Sequence, residues 1–145
     1  MMTNLAKIRR LCAATLLLTL LLTAAPALMT ANARPRTTVS RQLCAYDWRR
    51  STYQLKKMIR CAARHWRVPG GAHKALRVAR CESRFNPRAY NPGGYAGVYQ
   101  QATDYWPGRS HTYGFHDYSV FNGRANIMVS VRMAHRGGWG PWSCA

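Results

Sequence analysis

Acidic residues are almost missing from this sequence: one glutamate and three aspartates stand against 22 Lys and Arg in 145 residues. Chemistry run by carboxylates must draw on Glu82, Asp47, Asp104 or Asp117. Other absences narrow the field further. There is no Cys-x-x-Cys pair, and the gaps of 17, 20 and 63 between Cys44, Cys61, Cys81 and Cys144 are too wide for a zinc site. The five histidines form no ligand pattern; His111 and His116, five apart around Gly114, read as free-standing. No Ser-His-Asp or Cys-His nucleophile arrangement stands out, and no glycine loop of the phosphate-cradling kind is present. Repeats, low-complexity tracts and nucleic-acid motifs are also lacking. No metal and no cofactor are expected, and nucleic acid is not expected as the specific ligand.

The N-terminus carries the one long apolar run. Lys7, Arg9 and Arg10 precede the leucine-rich stretch Leu11–Leu22, and small residues then lead to Ala31-Asn32-Ala33. Basic start, apolar middle and A-x-A exit, in that order, describe a secretory signal peptide over residues 1–33. A retained anchor is the alternative. Leu11 to Met29 is barely long enough to span, and Thr15, Thr19, Thr23 and Pro26 weaken it as a spanning helix. Stable membrane insertion after cleavage is not expected.

Three of the 22 Lys/Arg and none of the four acids fall in residues 1–33, which leaves a net charge of +15 on residues 34–145. Outside a cell such a charge favours anionic polymers, cell wall among them. Solubility alone is the plainer reading of the same charge. A domain this small benefits from crosslinks, and four cysteines remain after the signal. An even count in an exported chain reads as two disulfides, with three connectivities open.

Along the chain, Arg34–Arg41 reads as a lead-in. Ser51-Thr52-Tyr53-Gln54 fits a capping box, with Leu55, Met58, Ile59, Ala62 and Trp66 following at helical spacing. A helix over about Thr52–Trp66 is expected, stopped by Pro69-Gly70-Gly71. A Cys44–Cys61 bridge would pin the preceding segment to it, worth about 3 kcal/mol by loop entropy. A second helix is expected over about Ala72–Ser83, carrying Cys81 and Glu82 at its end. Asn86-Pro87 and Asn91-Pro92-Gly93-Gly94 then make a turn-rich crossing dotted with Tyr90, Tyr95, Tyr99, Tyr105 and Trp106. Between Tyr95 and Gln101 strand and loop are not separable, and a short hairpin fits. A last helix is expected over about Arg124–Arg136, ended by Gly137-Gly138. Residues 34–71 are read as lead-in and helix, and residues 72–145 as the core.

Glu82, the sole glutamate, sits where a helix meets a long aromatic-rich crossing. Apolar enclosure there would raise its pKa, as sugar-cleaving acids need. A surface Glu pairing with Arg80, Arg84 or Arg88 is the plainer alternative.

The sequence around Glu82 moves that balance. Cys81-Glu82-Ser83-x-Phe85-Asn86-Pro87-x-Ala89 resembles the signature around the catalytic glutamate of lysozyme-like lytic transglycosylases (the SLT family). Asn91-Pro92, Gly94 and Tyr95-Ala96-Gly97-Val98-Tyr99-Gln100 resemble that family's Gly-x-x-Gly-Leu-x-Gln block. Phe121-Asn122-x-x-Ala125-Asn126-Ile127 is similar to its third block, near the start of a core helix. Cys81 with Trp139-Gly140-x-Trp142-x-Cys144 resembles the resuscitation-promoting-factor branch, which implies a Cys81–Cys144 bridge. The resemblance covers about Ala72–Cys144. Tyr99 and Gln101 depart from the pattern, where the family usually has apolar residues.

The resemblance implies a small, mainly α lysozyme-like domain (α+β) with a sugar-binding groove. It implies cleavage between N-acetylmuramic acid and N-acetylglucosamine in peptidoglycan. Glu82 would protonate the leaving oxygen and then draw the muramyl 6-hydroxyl onto C1. Gln100 would bond sugar or steady the glutamate. Asn126 would face the groove or bond within the helix start, and Ser83 would orient the glutamate or bond the helix end. Tyr95, Tyr99 and Trp106 would stack on sugars or serve the core. A hydrolase would need a second carboxylate, and Asp104 is the one candidate. The expectation is a secreted, wall-associated, monomeric enzyme acting on peptidoglycan strands and held by anionic wall polymers. The rivals are a non-enzymatic cationic wall-binding or signalling module and a hydrolytic lysozyme.

Overall fold

The computed structural model of the protein describes residues 43–145. The expected signal peptide over residues 1–33 and the expected lead-in Arg34–Arg41 lie outside the described residues. Four helices and three two-residue strands follow in the order α1 (Thr52–His65), α2 (Gly71–Ser83), β1 (Tyr90–Asn91), β2 (Tyr95–Ala96), β3 (Gln101–Ala102), α3 (Trp106–Thr112) and α4 (Gly123–Gly137). About half of the described residues are helical, so the mainly α class expected from the sequence holds, with a small sheet beside it.

Helix α1 begins where the serine signal placed it: Ser51 is extended, and its hydroxyl accepts from the Gln54 N–H at 3.3 Å. Its apolar stripe Leu55, Met58, Ile59, Ala62 and Ala63 is buried, and α1 packs on both α2 and α4. Helix α1 is thus part of the core, and residues 43–145 fall within one compact unit. Helix α4 is the centre of that core, with Ala125–Val131 all buried. It starts on Gly123, where any Cβ would drive into the Trp48 ring at 2.7 Å. Asn122 caps it by accepting from the Ala125 N–H at 3.1 Å.

Asn91-Pro92-Gly93-Gly94 turns β1 into β2, and β3 returns to give an antiparallel sheet in the order β1-β2-β3. The register pairs Tyr90 with Ala96 and Tyr95 with Ala102. The sequence left strand and loop unresolved here because two-residue strands carry no periodicity to read. Helix α3 was not expected. It is one short stretch begun by Trp106-Pro107, and proline suits a first helical turn because its missing N–H has no partner there anyway.

Two disulfides staple the ends. Cys44–Cys61 ties the segment before α1 to that helix across 17 residues, and Cys81–Cys144 ties the end of α2 to the C-terminus across 63. Arg124 also holds the N-terminal segment, donating to the carbonyls of Leu43 at 2.7 Å and Cys44 at 3.1 Å. Among the described residues no helix is long and apolar enough to cross a membrane.

Candidate active site

Helix α2 ends one residue after Glu82, and the way it ends sets the site. Arg84 takes a left-handed conformation (φ 54°), its N–H donating to Arg80 O, while the Phe85 N–H reaches Ala79 O at 3.4 Å. This double closure usually employs glycine at the left-handed position. Arg84 and then Phe85 (φ 68°) occupy that region with full side chains, at roughly 1 kcal/mol each. Strain of this kind is tolerated where neighbours over-determine the backbone. Here Ser83 does so: its hydroxyl donates to Val98 O at 2.7 Å and lies 3.3 Å from Ala79 O, stitching α2 to the β2–β3 loop. Ser83 positions the helix end and is absent from the cleft lining.

A cleft of about 330 Å³ opens beside Glu82, lined by Asn91, Tyr95, Gln100, Trp142, Ser143 and the Cys81 end of the disulfide, among others. Partial burial pushes the Glu82 carboxyl above its ordinary 4.5; the Cys144 N–H, donating to Oε1 at 3.3 Å, pulls weakly the other way. Glu82 is the only acidic residue in that lining. Asp104 is exposed in the turn after β3 and does not line the cleft. Tyr95 is half open to solvent on one wall. Gln100 sits in the left-handed region (φ 44°). Its Nε2 donates to Gly97 O at 3.0 Å and Ala89 O at 3.4 Å, which leaves its amide oxygen without a partner among the described residues.

Behind the cleft the polar groups are internal. Asn126 is fully buried: Oδ1 accepts from the Tyr99 N–H at 2.9 Å, and Nδ2 donates to Val120 O at 3.0 Å and Ala96 O at 3.2 Å. It braces the 96–99 loop from below and cannot face a sugar. Gly97 is required by that brace, because at φ 82° a Cβ would collide with the Asn126 amide and with Val120 O. Trp106 is likewise corrected from groove to core. It is 6% exposed, and its indole N–H donates to Tyr118 O at 2.7 Å. Tyr99 is buried too, its hydroxyl donating to Ala75 O at 3.0 Å and its ring stacked on Trp139. Tyr95, on β2, is open to solvent while Tyr99, in the loop that follows, is buried, and the sequence could not tell which of several aromatics the core would claim.

The two departures from the family pattern, Tyr99 and Gln101, are each satisfied internally. Gln101 donates to Ser130 Oγ at 2.7 Å and accepts from Arg109 Nη1 at 2.7 Å. A buried polar group so paired avoids the penalty of an unmade bond.

Asn91 and Trp142, which the sequence placed only within motif blocks, and Pro141 and Ser143, which it did not single out, all line the cleft. The last three come from the C-terminal tail. Trp142 donates to Tyr99 O and Trp139 to Pro69 O, both at 2.8 Å, and Cys144 is bonded to Cys81, so the tail becomes a fixed wall. The Cys81–Cys144 bridge implied by the resemblance is what brings the tail there. Among the described residues no three His, Cys, Asp or Glu side chains form a group that could hold a metal; His111 and His116 pack edge to face at 4.1 Å. No family model matches the chain, and neither do any curated protein or solved structure.

Proposed function

We propose that this chain is an exported peptidoglycan lytic transglycosylase with a lysozyme-like fold, in which Glu82 is both acid and base. The observation that carries the reading is a single carboxyl group in a cleft whose other lining residues carry no charge. Glu82 holds its proton more firmly than an open glutamate does, which suits a general acid for a glycosidic oxygen. Hydrolysis normally uses two carboxylates, about 5–5.5 Å apart when retaining or 6.5–9.5 Å when inverting. With no second acid in the lining, the nucleophile is best supplied by the substrate. The muramyl 6-hydroxyl is such a group: Glu82, ionised after donating its proton, takes the hydroxyl proton as O6 bonds to C1, and a 1,6-anhydro end results.

Around that step the other residues have supporting parts. The unpartnered amide oxygen of Gln100 accepts from a sugar hydroxyl or acetamido N–H. Tyr95 offers an open ring to a sugar face, and Ser83 positions Glu82 through Val98. Digesting peptidoglycan with the wild type and with Glu82→Gln, and weighing the fragments, tests the reading. Anhydro-muramyl ends from the wild type are expected, with release by the variant lower by about 10²–10⁴-fold. Reducing ends would replace the proposal with hydrolysis. No fragments from either protein, with both sedimenting on the wall, would leave a binding module.

A further inference from the structure

Five of the 16 Lys and Arg residues in 43–145 gather where the catalytic reading has no use for them. Lys56 and Arg60 on α1, with Arg77 and Arg80 on α2 and Arg84 at its C-cap, line two overlapping hollows of about 900 and 420 Å³ that share Phe85. Spacings of three and four residues stack side chains on one helix face, so each helix lends a row of cations to one groove. No acidic residue lines either hollow. No ion pair among the described residues engages any of the five cations. Like charges gathered without partners repel one another, and an entering anion relieves that repulsion.

We propose that this groove docks a flexible phosphodiester polymer of the glycerol-phosphate kind. Four of the five cations are arginines, whose planar forks pair bidentately with phosphate. Along α2 the residues at 77 and 80 rise by about 4.5 Å, with Arg84 just past the helix end. A phosphodiester repeating over a short glycerol unit presents closely spaced anions to such a row, whereas a carboxylate carried once per disaccharide comes at a longer interval. Nucleic acid is a poorer fit. Bases stack best on open aromatic faces; Phe85 has the Lys56 ammonium over it at 4.5 Å, and the other ring in the lining is the small imidazole of His73. A bilayer surface is too flat to enter a concave groove.

Cys81 lines both this groove and the Glu82 cleft, so a docked polymer runs up to the cleft's edge. The proposal needs no turnover at Glu82, and its test uses polymer free of glycan, so either reading can fail alone. Purified protein is titrated with a poly(glycerol phosphate) chain, with hyaluronate, with DNA and with anionic vesicles. Arg77→Gln/Arg80→Gln/Arg84→Gln is set beside a control of equal charge loss on exposed sites elsewhere, Arg50→Gln/Arg64→Gln/Arg136→Gln. The groove variant is expected to bind poly(glycerol phosphate) roughly 10- to 100-fold more weakly, with a shallower salt dependence. The control should lose far less. Equal losses in both variants, or tighter wild-type binding to hyaluronate, DNA or vesicles, would overturn the proposal. Near-ultraviolet circular dichroism matching the wild type shows that each variant is folded.

Discussion

Helix α2 borders two hollows and treats them in opposite ways. On the cleft side every wall is anchored: the tail by Cys81–Cys144 and two indole hydrogen bonds, the 96–99 loop by Asn126 and Ser83, Gln100 by its own amide. On the groove side the working groups are ends of long side chains bound to little else. Cleavage by one carboxyl requires positions held to about half an ångström. Attraction of a polyanion needs only charge density, and exposed arginines supply it. The fold gives one of its two crosslinks and much of its buried polar bonding to the first task, and five of its cations to the second.

The largest effect should come from cutting the crosslink of the cleft. Cys81→Ser/Cys144→Ser removes a closure of 63 residues, worth about 4 kcal/mol by chain entropy, whereas the 17-residue closure of Cys44–Cys61 is worth about 3 kcal/mol. The numbers are close, so the sharper contrast lies in function. At a temperature where both variants are folded, loss of Cys81–Cys144 should abolish glycan cleavage by releasing the wall made of Pro141–Ser143. Loss of Cys44–Cys61 should leave cleavage intact. Equal activity in the two would mean that the tail is no part of the site.

Next in size is Asn126→Ala, which strands the buried Tyr99 N–H and the carbonyls of Ala96 and Val120. Urea unfolding should show a loss of about 3 kcal/mol, since each buried group left unpaired costs of order 1 kcal/mol. Removing three groove arginines should change stability by no more than about 0.5 kcal/mol, as exposed substitutions do. A mild Asn126→Ala would show that the loop behind the cleft is held by packing and that the polar brace is incidental.

How much of this was legible beforehand follows from which signals are local. Ser51, the period of Leu55 to Ala62 and the Pro69-Gly70-Gly71 stop delimit α1 within one residue, because caps and periodicity act over a single turn. Glu82 was legible as a rare carboxyl at a helix end. Asn126, Trp106 and Tyr99 were not, because their partners lie 27, 12 and 24 residues away and nothing local says whether a polar or aromatic side chain turns inward. The α1–α2 groove was invisible for a related reason. Its cations come from two helices, and the tally of +15 on residues 34–145 says nothing about where they meet.

The smallest effect bears on Glu82 itself and needs its sign worked out. Its folded pKa lies above the ordinary 4.5 because burial disfavours the ionised form. The folded chain therefore binds this proton more tightly than the unfolded chain. The contribution is fully stabilising below the ordinary carboxyl range and is lost as pH rises through the raised folded value. Glu82→Gln never ionises. Its melting temperature should track the wild type at pH values well below 4.5 with a constant offset, and should gain on it as pH climbs through that window. The gain should be a degree or two at most, since the carboxyl is partly exposed and water screens it. The other three acids are common to both proteins and cancel in the difference. Activity provides the matching arm, because a reaction begun by protonated Glu82 must slow as pH passes the same raised value. A variant that instead loses stability relative to the wild type as pH rises would mean that Glu82 is held ionised, and the single-carboxyl mechanism would lose its acid.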